Sequence, residues 1–213
     1  MKNLMLSLFL IALVGLASFS SVRAVDRQSS KSTPPYENPE AYGVYSAVLS
    51  MGGQWDDSKS LVVLKELPLK EWPIGSPRDA LRGDEEFRGN FDRIFKSFEQ
   101  ANRQSLFLEN YFVIQKSYQL VGLAELESAF HSTKPDAHRD GWEGFRQHFP
   151  NSTGYLILSA VGFNPERTIA IVFVDYRCGG LCGSARYYIL QKRDKDWISY
   201  SPKGLQSETR GNS

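Results

Sequence analysis

Apolar positions along this chain repeat with two different periods, and the change of period falls near Pro150. Before it, Tyr42, Tyr45, Val48 and Leu49 recur at helical spacing behind Asn38-Pro39-Glu40. A capping side chain followed by proline opens a helix, so one is expected over 39–50. Phe87, Phe91, Ile94, Phe95 and Phe98 step by three and four and predict an amphipathic helix over 85–101. Shorter helices are expected over 123–130 and 140–149, the second carrying Trp142, Phe145 and Phe149. After Pro150 the runs 155–160, 167–176, 185–192 and 197–200 are rich in β-branched and aromatic residues and read as strands. An earlier strand is expected over 60–67, and 111–119 reads as one strand or two short ones.

The links between the four late runs are too short for a crossover, so those strands are expected to form an antiparallel meander. The fold class is α+β, with N-terminal helices packed on a C-terminal antiparallel β-meander. Pro68, Pro73 and Pro77, with Gly75, mark an extended connection. The phenylalanine stripe reads as the face of a helix lying on the sheet, with a ligand groove there as the competing reading. The glycines at 179, 180 and 183 lead into a strand, whereas phosphate-binding glycine loops lead into a helix.

The first residues change the picture. Lys2, an apolar run over 4–16 and the small residue closing Val22-Arg23-Ala24 read as a secretory signal covering 1–24. The run is shorter than the roughly 20 residues of a membrane span, so cleavage is preferred to an anchor and no membrane span is expected afterwards. Residues 25–38, with five serine, threonine and proline positions between Ser29 and Pro34, read as a flexible tether. A single domain is expected over 39–202 and a disordered tail over 203–213. Without Lys2 and Arg23 the formal charge falls from +1 to −1, which gives no electrostatic case for nucleic acid as a partner.

Both cysteines lie in Cys178-Gly179-Gly180-Leu181-Cys182-Gly183. An exported address and a separation this short point to a disulfide across a turn, worth about 2 kcal/mol because the loop is small. Three other readings compete. The first is a thiol nucleophile with His131 upstream; the second is a zinc site built from the cysteines with His131, His138 or His148. The third is an anion-binding nest of loop amides flanked by Arg177 and Arg186. Asp136, Asp140 and Glu143 read as helix N-terminal charges, and Asn151-Ser152-Thr153 matches a glycosylation sequon that reads as a turn.

Trp142-Glu143-Gly144-Phe145, Phe149-Pro150, Val161-Gly162-Phe163-Asn164, the Cys178 to Gly183 turn and the stretch from Lys192 to Trp197 resemble a pattern found in uncharacterised exported bacterial proteins. The resemblance covers about 140–200. It implies a bacterial exported protein and carries over no catalytic residue and no cofactor. The closing strands also look like those of cystatin-like or NTF2-like domains, an analogy of fold alone.

The functional expectation is a non-enzymatic domain that binds a protein partner in the cell envelope or outside the cell. Its candidate binding loop is Arg177, Gly179, Gly180, Leu181, Gly183 and Arg186, braced by Cys178 and Cys182. The alternatives are a hydrolase using a cysteine thiol or a Cys/His-bound metal, and a small-ligand pocket between the 87–98 helix face and the sheet.

Overall fold

The computed structural model describes residues 33–67, 85–131 and 141–200, with the side chains of 85–88 excepted. The expected signal, the extended proline segment, His138 with Asp136 and Asp140, and the C-terminal tail lie outside these residues. The described part belongs to one compact unit that begins at Thr33.

Helix α1 runs Pro39–Ser50, with the Asn38 side-chain amide oxygen accepting from the Ala41 amide at 3.3 Å as its N-cap. Strands β1 (Ser60–Leu64) and β2 (Glu66–Leu67) follow, split at Lys65. Helix α2 spans Glu85–Ala101, then β3 (Leu106–Phe107), β4 (Ser117–Val121), α3 (Leu123–His131) and α4 (Trp142–His148). The chain closes with β5 (Tyr155–Leu158), β6 (Gly162–Phe163), β7 (Ile169–Arg177), β8 (Gly183–Arg193) and β9 (Asp196–Ser199).

The fold is α+β, built on a sheet of order β4-β1-β5-β7-β8-β9, with β6 also on β7. The late strands β5, β7, β8 and β9 pair antiparallel in that order, as their short links require. The sheet does not stop there. β1 enters beside β5 and β4 beside β1, both parallel, so the sheet is mixed and its helices are interleaved with strands along the chain.

Helices cover both faces. On one, Val44, Tyr45 and Val48 of α1 meet Leu61, Val63, Leu156, Leu158, Val172 and Val174. On the other, Phe91, Ile94 and Phe98 of α2 lie over Ile171 and Phe173, while Leu126 of α3 and Phe145 and Phe149 of α4 lie over Val62, Leu64 and Ile157. Because both faces are covered, β7 is buried from Ala170 to Tyr176, and Ile169 to Val174 read as an unbroken apolar run rather than an alternation. Each of these fully buried large side chains contributes about 1.5–3 kcal/mol.

The tether ends earlier than expected. Tyr36 is buried, its amide donates to the Phe107 carbonyl at 2.7 Å, and the Phe107 amide donates to the Pro34 carbonyl at 2.9 Å. The tyrosine hydroxyl accepts from the Val161 amide at 3.2 Å, which ties this strip to the far side of the core.

An ion cluster fastens α1 to the β6–β7 turn and to strand β8. Glu40 accepts from Lys192 Nζ at 2.7 Å and from the Arg167 guanidinium, which also reaches Asn38 Oδ1 at 3.1 Å. The Lys192 hydrogen bond, followed by that from Arg167, holds the Glu40 carboxyl below its ordinary value of 4.5. A lowered folded pKa gives stability that is fully present above the ordinary value and lost as pH falls through the folded one. All three side chains are about a third or more exposed, so screening reduces the gain. Glu40→Gln is expected to lower stability by about 1 kcal/mol at neutral pH. In urea melts across pH, its difference from wild type should close as pH falls below about 4.5; a difference independent of pH would contradict this assignment.

Candidate functional site

Cys178 and Cys182 form a disulfide at the tip of the β7–β8 hairpin. The turn is also held by hydrogen bonds from the Cys178 amide to the Cys182 carbonyl at 3.3 Å and from the Cys182 amide to the Gly179 carbonyl at 3.4 Å. Cys178 is buried in the main core, whereas Cys182 and the glycines around it reach the surface. Leu181 stands fully exposed at the tip. With both sulfurs in the bridge, neither serves as a thiolate nucleophile or as a zinc ligand in this form.

The loop does not form an anion nest. A nest alternates right- and left-handed backbone, and none of Gly179, Gly180 and Gly183 has a positive φ. The two flanking arginines do not converge either. Arg177 pairs in register with Gly183 and Arg186 with Val174, and side chains alternate between the faces of a strand. Arg177 therefore lies on the face of Asp175, to which it donates from Nε at 3.1 Å and from a terminal nitrogen at 2.8 Å. That hydrogen bonding raises its pKa further. Arg186 lies on the opposite face, 5.7 Å from the Tyr188 ring centre.

The histidines within the described residues are engaged elsewhere. The His131 ring contacts the Glu127 carbonyl in its own helix at 2.7 Å, and His148 lies 3.7 Å from Glu125. In the sequon, Ser152 is buried and donates to the Gly154 carbonyl, and Thr153 Oγ1 shares hydrogen bonds with Ser58 and Tyr176. The face of α2 is closed against the sheet: Phe91, Ile94 and Phe98 are buried with Phe173 at 4.8 Å from the Tyr187 ring, which leaves the expected pocket filled.

A different surface is open. The outward face of α1 presents Gly43, Ser46, Ala47 and Ser50, and a groove of about 950 Å³, lined also by the buried Tyr42, runs along it. One wall is Tyr111 and Val113; the other is Lys195, Asp196 and Trp197; the N-terminal end is closed by the strip 36–39. Its lining positions on the helix run from Pro39 to Ser50, a rise of about 17 Å at 1.5 Å per residue.

The local sequence explains the groove. Tyr42 and Tyr45 turn inward and stack edge-on at 5.9 Å, with Phe112 5.7 Å from each. The Tyr45 hydroxyl donates to the Ser159 carbonyl at 2.7 Å, and Tyr42 accepts from the Glu109 amide at 2.8 Å. Burial pushes the Tyr42 phenol up to about 12 and Tyr45 well above its ordinary value, so both stay neutral. What remains for the outer face is small and uncharged: after Glu40, α1 has no ionisable side chain but its two tyrosines. The Val113 amide donates to Ser46 Oγ at 2.8 Å, which fixes the 111–113 wall while leaving Tyr111 64% and Val113 84% exposed. The volume lies at the upper end of the roughly 300–1,000 Å³ typical of ligand sites.

Comparison of the chain with known family models, curated proteins and solved structures finds no match. No helix among the described residues is long and apolar enough to cross a membrane.

Proposed function

We propose that this chain is a binding protein rather than an enzyme, and that its recognition site is the groove along α1. The ligand is elongated and largely apolar, of the kind offered by a peptide segment of a protein partner. One observation carries this reading. A helix packed on a sheet ordinarily turns charged residues outward; α1 instead turns out Gly43, Ser46, Ala47 and Ser50, beneath rims that hold Tyr111 and Val113 in solvent. About five extended residues span such a groove. The signal read in 1–24 and the Cys178–Cys182 bridge support an exported protein, whose partner is then in the cell envelope or outside the cell.

A second reading keeps the bridged hairpin as a contact surface. It is favoured by Leu181, whose side chain is fully exposed on a turn the disulfide stiffens.

Titration with indole, a neutral aromatic probe, followed by amide and indole nitrogen–proton NMR, separates the two. Shifts are expected at Gly43, Ser46, Tyr111 and Val113 and at the Trp197 indole. Shifts confined to 179–183 would move the site to the hairpin, and none at millimolar probe would overturn the groove.

A further inference from the structure

We infer that a second groove, between α2 and the β6–β7 turn, is a binding site for an oxyanion group: a carboxylate, sulfate or phosphate carried by a ligand. Arg93, Lys96, Ser97 and Gln100 follow one another at helical spacing and share one edge of α2. Across a recess of about 540 Å³ they face Asn164 and Arg167 of the turn. Every ionised side chain lining this recess is a cation.

Two carboxylates border it. Glu166 accepts from Asn164 Nδ2 at 3.0 Å and sits 3.9 Å from Arg93, but it is 58% exposed and its pairing with Arg93 is screened by water. Glu40 is shared between Arg167 and Lys192. Of the residues lining the recess, three are cations, Arg93, Lys96 and Arg167, and none carries a carboxylate, in a chain whose overall formal charge is only +1. Lys96 has no ion-pair partner among the described residues.

The recess is also preorganised. The Arg167 guanidinium lies 4.6 Å from the Phe163 ring centre and is held from one side by Asn38 and Glu40. A fixed planar fork loses little freedom on meeting an oxyanion, and a mobile ammonium beside it supplies a second charge.

The test is an NMR titration of the folded chain with sodium phosphate at ionic strength held constant by sodium chloride, with sodium acetate as a parallel arm. Saturable shifts are expected at Lys96, Ser97, Gln100, Asn164 and Arg167. Arg93→Gln/Lys96→Gln should weaken the interaction by about tenfold, with an unchanged melting temperature because both side chains are exposed. Response to phosphate alone assigns a tetrahedral group, response to acetate alone a carboxylate, and response to both an unselective oxyanion site. Shifts that chloride reproduces, or an unaltered affinity in the double variant, would overturn the inference. Indole occupancy of the α1 groove is a separate readout, so either site can fail without the other.

Discussion

Gly154→Ala is expected to cost about 3 kcal/mol or more, and Gly162→Ala about the same, through backbone contact rather than backbone freedom. A β-carbon at Gly154 would lie 2.1 Å from the Arg177 carbonyl oxygen, at the place where β5 begins to pair with β7. One at Gly162 would lie 2.6 Å from the Phe98 Cα and amide nitrogen, so α2 would have to lift from β6. The lift would open the cluster of Phe91, Ile94 and Phe98 over Ile171 and Phe173, where burial is nearly complete. No flexible side-chain end is available to yield in either case.

Two other glycines serve as controls. Gly180 and Gly89 have nothing within 4 Å of an added β-carbon. Gly180→Ala should be near neutral, and Gly89→Ala, in the interior of α2, should gain about 0.5–1 kcal/mol. Urea unfolding followed by tryptophan fluorescence reads all four. Losses below about 0.5 kcal/mol at 154 and 162 would mean that β5 and α2 are not packed as described.

The helices were legible because their signals are local. Asn38-Pro39-Glu40 states where α1 begins, and the three-and-four spacing of the phenylalanines states which side of α2 is buried. The late strands were legible for the same reason, and so was the cysteine pairing. The parallel strands were not. β1 reaches β5, and β4 reaches β1, from far along the chain, and nothing within Leu61-Val62-Val63-Leu64 records which strand lies beside it. β7 carried a readable clue, since six apolar residues in succession indicate a strand covered on both faces.

The candidate site divides the same way. Two cysteines among glycines draw attention to 178–183, but the structure sends Arg177 and Arg186 to opposite faces and gives the loop no nest. The α1 groove draws its walls from 111–113 and 195–197, stretches joined only by folding. Its floor did leave a trace: the helix expected over 39–50 has Glu40 as its sole carboxylate or ammonium carrier across twelve residues.

Removing the exposed rim should abolish most binding while sparing the fold. Tyr111 gives up a ring contact with Tyr42 at 5.1 Å, and Val113 is anchored by its backbone amide while its side chain stands exposed on the rim. Tyr111→Ala/Val113→Asp is therefore expected to change stability by about 1 kcal/mol or less. Its effect on an apolar ligand is larger, because an aromatic rim side chain at a binding site carries about 1–2 kcal/mol and an aspartate opposes apolar burial.

The most direct measurement takes a peptide selected from a random 12-residue phage-displayed library against the folded protein and determines its affinity for three chains: wild type, Tyr111→Ala/Val113→Asp, and Leu181→Ser. The groove variant is expected to lose affinity by about tenfold or more, and Leu181→Ser to keep wild-type affinity. Full affinity in the groove variant, with binding lost in Leu181→Ser, would contradict it and return the recognition surface to the bridged hairpin.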